Sequence, residues 1–302
     1  MQQCDICFCD FTLDELKRHK EKCIQEQLQL LNSIQNDNNI SKKPIIPLEL
    51  TEKQICALKI SKKKAKIFSK NVKPNLFQKI ISLGYSKKDF DDTINFIKNH
   101  VPIIVHINLD ITLDYLLKDD HLRNRFETNT SGGSIDMSSR LSWEDNLFKS
   151  VYKDAEPFER VKYGAVNINC SPVGVPMAYA YGNSYLILNE DVKLRSTFVY
   201  DDSSHMDLHI ATFNDFCNIL YYIPQNGLIS IIDVATGKNV DNKIIDYPYI
   251  ECQIHGPIRL DRDIDMIVVN DIYLNNNAII DKLNKFTDKF GVSWTFMNIP
   301  KK

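Results

Sequence analysis

The sequence predicts an α+β fold, and three observations lead to that class. Apolar residues recur at helical spacing before residue 100, short β-like runs follow, and strands and helices do not strictly alternate. The chain is 302 residues long and 43% hydrophobic, enough for a sizeable core. Because regular βαβ units are missing from the pattern, we expect a mixed or antiparallel sheet behind a helical lead-in.

The chain divides into three parts of different composition. Residues 1–25 hold a cluster of Cys and His, and residues 26–46 are polar, with a short helical pattern that decays into Asn and Ser. Such a segment is typical of a helical extension followed by a flexible linker. Residues 47–302 form the main domain, whose first part, 47–100, is the predicted helical lead-in. Gly84 marks a break between two helices there.

Overall composition limits the expected partners. The net charge is −2 and the pI is near 6.4, so there is no global basic excess and no nucleic acid is expected as a partner. The longest apolar runs are too short to span a bilayer, so no membrane association is expected. The first residues lack a charged-then-apolar signal pattern. Scattered cysteines in apolar contexts are typical of a cytoplasmic or nuclear protein.

The N-terminal cluster has the spacing of a zinc site. Cys4 and Cys7 form a C-x2-C pair, and His19 and Cys23 follow as H-x3-C. One helical turn places His19 and Cys23 on the same side, so the two pairs can complete a tetrahedron. All four positions carry strong ligands and none is open, so we expect a structural zinc ion that folds this small module.

The same spacing resembles the small ubiquitin-binding zinc fingers of DNA-repair ubiquitin ligases and related adaptors. Those fingers commonly carry an acidic residue in the final helical turn that contacts ubiquitin, and only Glu21 matches it here. The resemblance implies ubiquitin or a ubiquitylated protein as a partner. Cys9 is a spare thiol that could compete as a zinc ligand.

The stretch YIECQIH, residues 249–255, has polar residues at the period of a strand. Tyr249, Glu251, Gln253 and His255 share one face, and the opposite face is apolar. The outer face of an antiparallel sheet exposed to water would explain this pattern. A ligand cleft lined by an acid, an amide and an imidazole is the functional alternative.

Three other segments carry candidate functional residues. His106 lies inside the apolar run IIVHIN, and Tyr163 precedes a glycine at the head of the run KYGAV. Glycines and hydroxyls in the polar segment 122–134 suit a phosphate or a ribose, although a polar loop with a helix cap explains it equally well. The candidates in this segment are Arg123, Arg125, Glu127, Thr128, Thr130, Ser131, Gly132 and Gly133.

The succession IVHINLD, RFETNTSGG, KYGAVNI and YIECQIHGPIRL resembles a bacterial family of unknown function, numbered 3626 among such domains. The resemblance runs from about Thr51 to the C-terminus. It implies a mono-ADP-ribosyltransferase that takes NAD as co-substrate and a protein as acceptor. It also implies the split, mixed or antiparallel sheet of such enzymes, with the zinc finger as a small separate module.

The resemblance also implies roles for individual residues. An ADP-ribosyltransferase breaks the bond between nicotinamide and ribose through an oxocarbenium-like transition state, which a carboxylate stabilises. Glu251 matches that carboxylate, with Gln253 beside it. His106 matches the residue that orients a ribose, and Tyr163 the ring that stacks on nicotinamide.

The remaining candidates would hold the rest of NAD or the acceptor. Thr128, Thr130 and Ser131 would form the hydroxyl element that braces the site, beside the Gly132–Gly133 pair. Arg123 or Arg125 would pair with the pyrophosphate. His255, at the end of its strand, is either part of a turn or a contact to the acceptor.

Two choices stay open in the sequence. Enzymes of this class often use Q-x-E or E-x-E, whereas this strand has E-x-Q, so Glu127 is an alternative catalytic acid. The domain could also be a non-catalytic adaptor that retains ADP-ribose binding. A third possibility is an NAD glycohydrolase, since the same carboxylate can direct water at the same carbon.

Overall fold

The computed structural model describes six stretches of the chain. They are residues 2–3, 10–11, 50–129, 136–204, 209–238 and 248–297. Two sets of predicted site residues lie outside these stretches. These are the zinc ligands Cys4, Cys7, His19 and Cys23, and the loop residues Thr130, Ser131, Gly132 and Gly133.

Two helices occupy the region of the predicted lead-in, α1 (Glu52–Ser82) and α2 (Lys87–Asn99). A capping box begins each helix. The hydroxyl group of Thr51 or Ser86 accepts the backbone N–H of the residue three positions later, and the side chain of that later residue accepts the backbone N–H of Thr51 or Ser86. Gly84 separates the helices with a φ of 89°, a left-handed conformation that favours glycine.

Twelve strands are present among the described residues. In chain order they are β1 (Gln2–Gln3), β2 (Asp10–Phe11), β3 (Ile103–Ile107), β4 (His121–Leu122), β5 (Lys162–Val166), β6 (Ser184–Leu188), β7 (Ser196–Tyr200), β8 (Ala211–Thr212), β9 (Ile250–Ile254), β10 (Ile258–Arg259), β11 (Ile264–Val269) and β12 (Ser293–Phe296). Eight of them form one sheet in the order β12-β11-β6-β3-β5-β9-β7-β8. Neighbours in it are antiparallel, except that β11 and β12 are parallel. The predicted α+β class with a mixed sheet is confirmed.

Six more α-helices lie in the described stretches after β3. They are α3 (Leu109–Leu116), α4 (Arg125–Thr128), α5 (Met137–Phe148), α6 (Cys217–Leu220), α7 (Gln225–Thr236) and α8 (Asn277–Phe290). In the described part of the chain, no helix is both long and apolar enough to cross a membrane.

Both faces of the central sheet are covered. One face packs on the main apolar core, which draws residues from α1, α2, α3, α7 and α8. A second apolar cluster covers the other face around β7 and β9, with Phe148 from α5 and Tyr152 just after it. All five residues of β9 are consequently buried. Of the two explanations for the polar face of this strand, exposure to water is wrong, because Glu251, Gln253 and His255 are at most 6% exposed.

Candidate functional site

Three adjacent strands bring three of the predicted site residues to one face of the sheet. Strand β5 lies between β3 and β9, and residue pairing places Ala165 opposite both Ile104 and Glu251. Side chains two residues apart on a strand point to the same face. His106 is two residues from Ile104 and Tyr163 is two residues from Ala165, so both point to the same face as Glu251. All three line one cleft of about 110 Å³. Its other polar and aromatic lining residues are Arg140, Trp143, Tyr181, Asp202, Ser203 and Tyr249.

Glu251 is a buried carboxyl group whose pKa lies near neutral pH. Burial raises its pKa to about 7, and the nearby charge of Asp202 acts in the same direction. Hydrogen bonding from Ser203 and Gln253, together with the charge of Arg140, opposes this rise. Such a group changes its ionisation close to physiological pH, as a general base or acid must.

A continuous chain of buried hydrogen bonds ends at Glu251. The Gln253 side-chain amide donates to Glu251 Oε1 at 2.9 Å, and the Thr197 hydroxyl donates to Gln253 Oε1 at 3.0 Å. Thr197 Oγ1 is also 3.3 Å from His255 Nε2, and the Tyr152 hydroxyl is 2.7 Å from His255 Nδ1. We call this chain, from Tyr152 to Glu251, the buried relay.

The relay has one consistent set of proton positions. Burial lowers the pKa of His255 to about 3, so the imidazole is neutral and carries a single proton. The Thr197 hydroxyl donates its proton to Gln253, so it can only accept a hydrogen bond from His255. The imidazole proton of His255 is therefore on Nε2, and Nδ1 accepts the hydroxyl proton of Tyr152. Every member then donates towards Glu251. His255 therefore lies in the interior as part of the relay and does not line the cleft.

Replacing Thr197 by Val tests the relay, because Val keeps the shape and removes the hydroxyl. Gln253 Oε1 loses its donor and the amide is free to rotate away from Glu251. We expect stability to fall by about 1–3 kcal/mol and the pKa of Glu251 to rise further. Chemical denaturation and a ¹³C NMR titration of Glu251 measure the two effects. Thr197→Ser should restore both, and an unchanged pKa in Thr197→Val would contradict the relay.

His106 is held on both of its ring nitrogens. Nδ1 donates to the carbonyl of Gly182 at 2.9 Å, and Nε2 accepts the backbone N–H of Val175 at 3.0 Å. Burial lowers the pKa of this histidine, so it stays neutral. A Cβ at Gly174 would lie 2.7 Å from Nε2, so only glycine allows this close packing. His106 therefore forms a fixed wall of the cleft. Both of its ring nitrogens are bonded to the backbone, so the polar contact to ribose that the resemblance implies requires one of these bonds to break.

Arg140 is a cleft residue that sequence reasoning missed. It is 6% exposed, and its guanidinium carbon lies 5.3 Å from the centre of the Tyr163 ring. Its Nε has no hydrogen-bond partner among the described residues. The sequence held one signal for it: Arg140, Trp143 and Glu144 are three and four residues apart, which places them on one face of a helix. The result is a buried cation beside the buried acid.

Glu127 and Arg123 lie away from this cleft. They line a second cavity of about 690 Å³, together with His121, Lys162 and others. Lys162 and Tyr163 are consecutive on β5, so their side chains point to opposite faces of the sheet. Glu127 accepts the Asn124 N–H at 2.8 Å in the capping box of α4, and its Oε1 is 3.3 Å from His121 Nε2. The structure thus separates Glu127 from Glu251.

The other predicted residues near α4 make contacts to nearby parts of the chain. Arg123 forms an ion pair with Asp119 at 2.6 Å, and Arg125 Nε lies 3.3 Å from Met137 Sδ. The Thr128 hydroxyl donates to the Asn124 carbonyl at 3.2 Å. None of the three lines the cleft of Glu251.

Comparison with known proteins finds one family. The model of a family described as "Protein of unknown function (DUF3626)" matches residues 105–229. The predicted resemblance to this family is confirmed over that range, which includes His106, Arg140 and Tyr163 and ends before Glu251. No curated protein matches the chain.

Proposed function

We propose that the chain is an NAD-dependent mono-ADP-ribosyltransferase that modifies a protein acceptor. One observation carries the proposal. The residues that the resemblance assigns to the ribose, the nicotinamide ring and the catalytic acid are His106, Tyr163 and Glu251. They stand on three neighbouring strands and face one cleft.

The chemistry of the cleft suits cleavage of the nicotinamide–ribose bond. As that bond breaks, nicotinamide leaves with the bonding electrons and the ribose carbon gains positive charge. A carboxylate fixed by the buried relay stabilises that charge without reorganising, in surroundings of low polarity. The acceptor nucleophile then bonds to the ribose carbon, and its proton passes to water.

The cleft admits at most a single ring. Its volume of about 110 Å³ is smaller than the cavity of about 150 Å³ that holds benzene in a protein core, so its walls must move apart for a nicotinamide ring to enter. Tyr163 and Trp143 offer aromatic walls. Nicotinamide would enter this slot, and the rest of NAD would extend from its mouth.

The N-terminal module would recruit the target. Cys4, Cys7, His19 and Cys23 would hold a structural zinc ion, and the resemblance to ubiquitin-binding fingers suggests ubiquitin or a ubiquitylated protein as the target. A stoichiometric zinc content in purified protein, lost in Cys4→Ser, would support this role.

The proposal is tested by measuring nicotinamide release from NAD and transfer of labelled ADP-ribose to ubiquitin. We expect Tyr163→Ala to reduce release by roughly 10- to 100-fold, since it removes the ring that positions nicotinamide. Glu127→Gln is the matched control and should retain activity, because Glu127 lines the other cavity.

Each alternative has its own outcome in this assay. Release without transfer to any protein would identify an NAD glycohydrolase. Absence of release by the wild type, with ADP-ribose still bound, would favour a non-catalytic adaptor. Loss of release in Glu127→Gln alone would move the catalytic acid to the second cavity.

A further inference from the structure

Positive charge is concentrated on one helix of a chain that is otherwise acidic. Helix α1 carries nine lysines and a single acidic residue, Glu52, whereas the whole chain has a net charge of −2. The global charge therefore hides a strong local asymmetry. Clustering of basic residues on one element is the electrostatic footprint of a site for a polyanion.

Four of these lysines form a stripe along the helix, namely Lys63, Lys66, Lys70 and Lys73. All four are exposed. At 3.6 residues per turn they fall within an arc of about 80°, and the stripe is about 15 Å long. Lys87, at the start of α2, is exposed as well. We call these five residues the lysine stripe.

The lysine stripe has no direct ion-pair partner among the described residues. Elsewhere lysines have clear partners: Lys53 lies 3.7 Å from Glu159, and Lys79 donates to two backbone carbonyls. In the described stretches, no residue of the stripe forms an ion pair or a hydrogen bond. Like charges three or four residues apart destabilise a helix, so the stripe carries a cost that an anionic ligand would relieve.

The stripe borders a groove between α1 and α2. The groove has a volume of about 650 Å³, and Lys66, Lys70, Lys73 and Lys87 line it. Its other lining residues are Ser69, Pro74, Phe77, Phe90, Asp91 and Asp215. Four cations against two carboxylates leave the groove positive. Its concave form suits a chain of phosphates that follows the helix.

We propose that this groove binds single-stranded nucleic acid through the phosphate backbone. Lysines act there as mobile point charges, which favours binding without sequence preference. An anionic membrane fits less well, because interfacial helices need a broad apolar face beside the basic one. Ile67 is the large apolar side chain most exposed on α1, and it stands on the flank of the stripe. The proposal is independent of the transferase activity.

The test is fluorescence anisotropy of a labelled oligothymidylate of about 20 nucleotides, at about 50 mM salt, with full-length protein. We expect a slope of log affinity against log salt of about −2.8 if four lysines contact phosphate, from about −0.7 per contact. The triple variant Lys66→Glu, Lys70→Glu and Lys73→Glu should bind at least 10-fold more weakly. Lys118→Glu, Lys153→Glu and Lys285→Glu together make the same charge change at exposed positions elsewhere and should bind like wild type.

Circular dichroism confirms that each variant is folded, and Gln at the same three positions replaces Glu if the charge reversal unfolds α1. Equal weakening by both triple variants would reduce the effect to net charge and overturn the proposal. So would lack of oligonucleotide binding by the wild type. Binding to phosphatidylserine vesicles without oligonucleotide binding would assign the stripe to a membrane surface instead.

Discussion

Glu251→Gln should lower nicotinamide release by on the order of 1,000-fold, the size of effect seen when a single electrostatic group is removed from an active site. Gln has the same shape and still accepts the amide hydrogen of Gln253, so the relay and the cleft are preserved. Only the negative charge is lost. NAD binding, measured by calorimetry, should change much less than turnover, because the charge acts on the transition state.

Asp202 offers a matched comparison, since it lines the same cleft and bears the same charge. Asp202→Asn removes a carboxylate that raises the pKa of Glu251, so this variant should stay active and reach full activity at a lower pH. Equal loss in both variants would mean that overall negative charge in the cleft is what matters. Full activity of Glu251→Gln would remove Glu251 from the mechanism.

Glu251→Gln, which should lower activity, should raise the stability of the fold at alkaline pH. The pKa of Glu251 is raised from 4.5 to about 7, so the folded chain binds this proton more tightly than the unfolded chain does. Stability from this group is present below pH 4.5 and is lost as the pH rises through 7, at a total cost of roughly 3 kcal/mol. Glu251→Gln should therefore be more stable than wild type at pH 8 and similar to it at pH 4.5.

Asp263→Ala is expected to destabilise the fold by about 3–5 kcal/mol, as removing one partner of a buried ion pair does. Arg195 is 1% exposed and its Nη2 lies 2.9 Å from Asp263 Oδ2. Arg262 and the backbone N–H of Arg259 also donate to this carboxylate. Burial alone would raise the pKa of Asp263, but these hydrogen bonds and charges lower it overall, so the group stays ionised.

Urea denaturation compares Asp263→Ala with Asp261→Ala. Asp261 pairs with Arg259 at 3.2 Å, and both side chains are exposed to solvent, so its loss should change stability by less than about 1 kcal/mol. Arg195 also donates to the backbone carbonyl of His255 at 2.6 Å, so Asp263→Ala should disturb the buried relay as well. Similar stability of the two variants would show that Arg195 finds another partner.

Much of the site could be predicted from local sequence, because strand alternation alone places Glu251, Gln253 and His255 on one face. Whether water, a ligand or a helix covers that face depends on α5 and on Tyr152, about 100 residues earlier in the chain. Helical spacing groups Arg140 with Trp143 and Glu144. It does not show that their helix covers the cleft, because that depends on the order of the strands.

Glu127 is a case in which a local signal was available and pointed to structure. Asn124 and Glu127 have the spacing of a capping box, and the structure shows both of its hydrogen bonds. The glycine- and hydroxyl-rich context made the segment look like a phosphate site instead. The sheet order separates Glu127 from Glu251, and no local pattern contains that order.

Strand β9 lies between β5 and β7 in the sheet, but it is synthesised after both of them. About 50 residues separate the end of β7 from the start of β9, which takes roughly 3–10 s at 5–20 residues per second during synthesis. Until then β5 and β7 have unpaired edges that can pair with other chains. A nascent or truncated chain that ends before residue 250 therefore lacks both Glu251, the proposed catalytic acid, and the strand that joins β7 to the sheet, so inactivity and aggregation should arise together.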